Sequence, residues 1–253
     1  MTAQDRQLEL LLLGKPSLTY GSQPLTAELV SAKGQALLIY LAVTGQRHSR
    51  SALAGLLWGD MPEESARANL RLALSKLRKF IPDYLEATRL EIVFKPQHAY
   101  RLDVAEFEKL LKTDHSGGLD VHAVALYRGD FLEDFILPNA PEFDFWAAAQ
   151  RERLHQLAVN ALLKQILAAE ETRNVQEGLA AARRLLHIDP WHENGHRTMM
   201  RLLSADGQRN AALTQYETFS SVLAEELGIE PDAETKALYA QIRENKIPQV
   251  SPV

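Results

Sequence analysis

Three observations predict a mainly α protein with a small β component. Short apolar runs broken by Gly and Pro are confined to roughly the first hundred residues. Helical periodicity runs almost without interruption from about residue 105 onward. Between them, residues 63–81 (EESARANLRLALSKLRKFI) combine an apolar stripe with a basic outer face. Length and composition agree with this reading: 253 residues, 46% hydrophobic and 24% charged, suit one or two domains with real cores.

The first elements read as short strands. LELLLLG (8–14) and SLTYG (17–21) flank Lys15-Pro16, and Gly21-Ser22 marks the turn before PLTAELV (24–30), read as a third strand. Residues 32–44, AKGQALLIYLAVT, are apolar nearly all round and predict a buried helix ending at Gly45. Ser49 is placed to cap a short helix over 50–58, RSALAGLLW, which Gly59, Asp60 and Pro62 break. Pro62 then stands just ahead of the helix over 63–81. Two alternating runs follow, RLEIVF (89–94) and AYRLDV (99–104), with Lys95-Pro96-Gln97-His98 as the expected hairpin tip. Strands, two helices, a loop, a basic helix and a hairpin, in that order, match a winged helix–turn–helix domain with an added N-terminal sheet.

The rest predicts helices near 105–114, 119–128, 141–171, 174–188, 192–205, 208–227 and 232–244, punctuated by Gly and Pro. A weak self-similarity at an offset of 34 pairs Leu179 with Leu213 and Leu185 with Phe219. That is the period of tetratricopeptide-like helix pairs, which stack into a surface that usually binds protein. The expected division is a winged-helix domain over 1–104, a tetratricopeptide-like all-α domain over 105–244 and a tail over 245–253.

Charge follows the same division. The net charge is −5, but residues 1–104 carry +3 and residues 105–253 carry −8. Arg67 to Lys79 hold five Lys or Arg and no acid. At about 100° per residue, Ala66, Leu70, Ala73, Leu74, Leu77 and Ile81 share one side. Ala68, Arg71, Leu72, Ser75, Lys76 and Lys79 share the other, with Arg67 and Arg78 at the flanks. A face like this fits an anion, and double-stranded DNA is the expected partner. The helix over 50–58 would brace the backbone and that over 63–81 would lie in the major groove. Arg71 is the candidate for bidentate contact with guanine, with Ser75 and Lys79 as further base-edge candidates. Arg67, Lys76, Arg78 and Arg50 are candidates for phosphates, Asn69 for either role, and Lys95 and His98 for reaching DNA from the hairpin. The competing reading is a helical-repeat scaffold whose winged helix contacts protein.

The chain resembles the SARP-type (antibiotic regulatory protein) transcriptional activators, which pair an OmpR-like winged helix with a bacterial transcriptional activator domain (BTAD). The resemblance rests on LLWGD at 56–60, ESARANLRLALSKLRKFI at 64–81 and AYRLDVAEFEKLL at 99–111. It continues through ALYRGDFLEDF at 125–135, WAAAQRERLHQLAVNALL at 146–163 and HIDPWHENGHRTMMRLLSADGQRNAALTQYE at 187–217. LAEELGIEPDAETKALYAQI at 223–242 closes it. The resemblance implies a bacterial activator that binds direct repeats upstream of a promoter and recruits RNA polymerase. It also implies a helical domain that supports dimerisation or polymerase contact. One departure is Ala99, where the family's wing usually carries glycine before Tyr-x-Leu.

Catalysis and cofactors are not expected. His192-Glu193-Asn194-Gly195-His196 matches the zinc pattern H-E-x-x-H, but Gly195 weakens the helix a metal pair needs, and the 34-residue rhythm accounts for the stretch. Gly14-Lys15 lacks P-loop spacing and no G-x-S-x-G occurs. There is no cysteine, no signal peptide and no membrane-length apolar run, so the expected location is cytoplasmic, on the nucleoid.

Overall fold

The computed structural model describes residues 7–112 and 119–245. It divides into two compact units at His155/Gln156.

The first unit opens with β1 (Leu8–Leu11), β2 (Ser17–Tyr20) and β3 (Gln23–Pro24). Leu8 and Leu10 are buried while Glu9 turns outward to Arg101, so β1 follows a strand's two-residue period. The β1–β2 turn passes through Gly14, at φ +107, a conformation that favours glycine. The third predicted strand is cut to two residues. Thr26 begins the short helix α1 (Ala27–Val30), whose last amide bonds back to the Thr26 carbonyl and whose Val30 is buried.

Helix α2 (Ala32–Thr44) buries Ala36–Leu41 apart from Tyr40, as its all-round apolar sequence requires, and ends on Gly45 at φ +60. After β4 (His48–Ser49), the Ser49 hydroxyl accepts the Ala52 N–H and caps α3 (Arg50–Trp58). Helix α4 (Glu63–Phe80) buries Ala66, Leu70, Ala73, Leu74 and Leu77, the predicted stripe, against α2 and α3.

The hairpin differs from expectation. A 3-10 turn (Pro82–Tyr84) leads into β5 (Leu85–Ala87), which pairs antiparallel with β6 (Glu91–Phe94) around a tip at Thr88-Arg89-Leu90. Sheet order is β4-β6-β5. β7 (Tyr100–Leu102) leaves that sheet and pairs parallel with β1, giving the order β3-β2-β1-β7. Lys95–His98 is therefore a crossover between two sheets. Buried Tyr84 fixes it: the Lys95 N–H donates to the Tyr84 carbonyl, and the Tyr84 hydroxyl donates to the Ala99 carbonyl at 3.0 Å.

The unit continues through α5 (Asp103–Lys112), α6 (Leu119–Leu126) and the first part of α7 (Pro141–Glu171). Part of the helix expected over 105–114 falls outside the described residues. Asp103 is buried, and its carboxylate accepts the N–H groups of Leu12 and Leu13 and an Arg128 N–H at 2.9 Å. Burial pushes its pKa up, against the opposing pull of those three donors.

The second unit holds the end of α7, then α8 (Val175–Ile188), α9 (Glu193–Ala205), α10 (Arg209–Glu226) and α11 (Ala233–Arg243). Helices α8 and α10 begin 34 residues apart, and Gly178 and Ala212, at equivalent places, are both buried. Asn174 caps α8 and Asp232 caps α11 through side-chain oxygens. The tail from residue 246 lies outside the described residues.

Candidate nucleic-acid interface

Among the described residues, helix α4 lines concave surfaces on two sides, all in the first unit. On its hairpin side an open groove of about 910 Å³ is lined by Arg50, Arg67, Arg71 and Arg89, together with Glu63 and Glu64. A neighbouring concavity brings Arg50 and Arg71 together with Ser75, Arg78 and Lys79. On the opposite side Asn69, Leu72 and Lys76 line a smaller hollow with Ser31 and Lys33.

Eight of the ten predicted site residues thus lie around one helix. Among the described residues, Arg71, Lys76, Arg78, Lys79 and Arg89 meet no carboxylate, whereas Arg67 pairs with Glu63 one turn earlier. Helix polarity suits the distribution: Glu63 and Glu64 lie in the first turn and Arg78 and Lys79 in the last. Asn69 donates to the Met61 sulfur at 3.2 Å, which ties it to the α3–α4 loop.

Lys95 and His98 are placed elsewhere. Lys95 bonds Glu86 at 2.6 Å across the β5–β6 pair, which holds the Glu86 carboxyl below its ordinary pKa. His98 faces Asp83 at 3.5 Å. Neither lines the α4 concavities.

Arg89 takes the tip position that the sequence pattern assigned to Lys95 and His98. The turn is closed by Thr88, whose N–H donates to the Glu91 carbonyl and whose hydroxyl oxygen accepts the Leu90 and Glu91 N–H groups. Arg50 fastens that tip to the start of α3. Its backbone N–H donates to the Leu90 carbonyl and its Nε to the Thr88 carbonyl, each at 2.9 Å. Leu90 itself is 77% exposed. Spacing alone points to Arg89: Leu85-Glu-Ala and Glu91-Ile-Val-Phe flank three residues, the length of a short hairpin loop, but those three include no Gly, Pro, Asn or Asp.

The H-E-x-x-H stretch is committed to packing. The His192 Nδ1 accepts the Gly195 N–H at 2.9 Å and caps α9. His196 lies 2.9 Å from the Pro190 carbonyl through Nε2, which must therefore carry the proton. Its Nδ1 then accepts from the Gln215 amide at 2.8 Å, and the ring stacks on Phe219 at 3.8 Å. Both His196 nitrogens are occupied, and burial lowers its pKa.

Residues 102–243 match the family model described as bacterial transcriptional activator domain. The chain is 24% identical over 233 residues to the transcriptional regulatory protein MoaR1 of Mycobacterium bovis (strain BCG / Pasteur 1173P2), covering 85% of this chain and 73% of that protein. The same figures hold for MoaR1 of Mycobacterium tuberculosis (strain ATCC 25618 / H37Rv). Among solved structures, Mycobacterium tuberculosis EmbR in complex with a low-affinity phosphopeptide matches with a TM-score of 0.65 at 22% identity. That match covers 98% of this chain and 66% of the EmbR chain, so this chain spans about two thirds of the EmbR length. At this identity the likeness speaks for the fold. Among the described residues no helix is long and apolar enough to cross a membrane.

Proposed function

This chain belongs to the bacterial transcriptional activator domain family and is a SARP-type transcription regulator, and from that premise we propose that it acts by binding specific DNA sequences through α4. The observation that carries the proposal is the convergence of Arg50, Arg67, Arg71 and Arg89 on one groove between α4 and the hairpin tip. Four guanidiniums beside a single helix, one of them held by a weak exposed ion pair, favour an anionic partner of extended shape.

In this reading α4 enters the major groove. Arg71 contacts guanine, and Ser75 and Lys79 contact further base edges. Arg67, Lys76 and Arg78 contact phosphates, and Asn69 supports the α4 face from its flank. Arg89 at the tip extends the contact beyond the helix. Lys95 and His98, each beside an acid, contribute through the general field of the domain rather than through direct contacts. Residues 1–104 supply the reader domain in this proposal and residues 105–244 the activating one. The latter recruits RNA polymerase to promoters carrying direct repeats, with two copies of the chain side by side on the DNA.

Titration of labelled promoter duplexes against salt tests the proposal. Affinity should fall steeply as salt rises, with a slope of about −0.9 for each phosphate neutralised. Arg71→Ala should lose about 1–3 kcal/mol and relax sequence choice at one position. Lys76→Ala should weaken all sequences alike and reduce the slope by about one unit. Salt-independent binding, or none to any promoter, would rule the proposal out.

A further inference from the structure

Helix α4 turns two apolar residues outward. Ala68 and Leu72 lie one turn apart, each about 20° from the direction opposite Leu70. Leu72 is 58% exposed. It contributes nothing to the buried stripe, which is complete in Ala66, Leu70, Ala73, Leu74 and Leu77. The remaining residues of that outward pole, Ser65, Ser75 and Lys79, are polar and exposed. A single exposed leucine on an ordinary surface needs no explanation. This one stands between the concavity that holds Arg71 and Lys79 and the hollow it lines with Asn69 and Lys76, and among the described residues Arg71, Lys76 and Lys79 meet no carboxylate.

The chemistry of a base-pair edge narrows what such a residue could meet. In the major groove, guanine, cytosine and adenine are told apart by their hydrogen-bond donors and acceptors, and thymine alone adds a methyl group, at C5. An aliphatic side chain pressed against a donor or acceptor strips it of water and returns no hydrogen bond, a net loss. Pressed against a methyl it gains by excluding water from both. Ala68 beside Leu72 leaves room for a methyl to seat between them.

We infer that Leu72, together with Ala68, receives a thymine methyl in the major groove and so determines specificity at a base pair adjacent to the one read by Arg71. This rests on the DNA-binding reading above. It adds to that reading a position at which thymine is preferred without a hydrogen bond to its edge.

The test uses the full chain. Bound duplexes are first enriched from a random-sequence library, and each thymine of the enriched site is then replaced singly by deoxyuridine. This removes the methyl and leaves base pairing intact. Wild-type affinity should drop about four-fold at one or two thymines, the worth of one buried methyl-sized group. Leu72→Ala should bind the thymine and uracil versions equally, with an unchanged salt slope, and Leu72→Met should keep the preference. Circular dichroism and thermal melting confirm that both variants fold. If uracil is tolerated at every position, or if Leu72→Ala keeps the penalty, the inference fails while DNA binding stands. If Leu72→Ala changes only transcription and not methyl sensitivity, Leu72 belongs to a protein contact and the inference is equally overturned. If the wild-type chain enriches no sequence at all, the DNA reading itself falls and takes this inference with it.

Discussion

Arg50 shows how one side chain can serve geometry and charge together. Its Nε and backbone N–H hold the carbonyls of Thr88 and Leu90, while its guanidinium still lines the arginine groove. The planar fork of arginine makes this possible, since one edge can bond a carbonyl while the other faces solvent; the ammonium of lysine is a point charge. Arg50→Lys therefore separates the two roles. If anchoring the tip is the larger role, Arg50→Lys and Arg50→Ala should lose similar DNA affinity. The loss should be about five-fold, the worth of one net hydrogen bond of about 1 kcal/mol. Amide exchange at Thr88 and Glu91 should rise in both variants even without DNA. Retained affinity and unchanged exchange in Arg50→Lys would instead make Arg50 a simple phosphate contact. Arg71, Arg78 and Lys79 are legible in the sequence because a helix places them by counting. The grip of Arg50 on a loop 38 residues away depends on β4 pairing with β6, which no local pattern records.

At the scale of elements, the helices were legible and the strands less so. Helix α4 needed only its apolar spacing, and α8 and α10 declared themselves through a shared 34-residue offset. The hairpin misled because its tip, Thr88-Arg89-Leu90, contains none of the usual turn residues, whereas Pro96 suggests a turn and instead marks a crossover. The Thr88 hydroxyl instead accepts the Leu90 and Glu91 N–H groups, the role an Asn or Asp side chain commonly plays in a turn. Helix α9 offers a prediction of its own. Buried His196, neutral between the Pro190 carbonyl, Gln215 and Phe219, has a pKa below the ordinary 6.5. The unfolded chain therefore binds a proton at His196 that the folded chain refuses. Its contribution to stability is complete above about pH 6.5 and is lost as pH falls toward the lower folded value. The urea midpoint of the second unit should drop between about pH 7.5 and about pH 5.5. His196→Leu should lower the unfolding free energy at both values, by about 1–3 kcal/mol for the orphaned polar groups, and should flatten the pH dependence. An unchanged pH dependence in that variant would place the sensitivity on another group.

At the scale of the whole molecule, the family segment and the compact units are cut differently. The bacterial transcriptional activator domain match begins at residue 102, yet the first unit runs to His155. The reason lies in what covers the end of β1. Leu12 and Leu13 are fully buried, and the chain after β7 buries them: Phe131 bridges to Leu13, and the Leu132 N–H donates to the Leu12 carbonyl at 2.9 Å. Asp103 holds the Leu12 and Leu13 amides from below, and Trp146 packs on Tyr40 of α2 with ring centroids 4.8 Å apart. We therefore propose that the cooperative body presenting α4 to DNA is longer than the 104-residue winged helix expected from the sequence. Exposing two leucines costs roughly 3–6 kcal/mol, a large part of the roughly 5–15 kcal/mol that holds an ordinary domain together. A fragment ending at residue 104 should melt far below one ending at residue 155, or fail to fold, and should bind DNA correspondingly poorly. Equal melting temperatures and equal affinities for the two fragments would show that the winged helix is self-sufficient. In that case the segment from 105 to 155 is carried by the winged helix without supporting it, and the charge division near residue 104 marks the boundary of the body proposed to bind DNA.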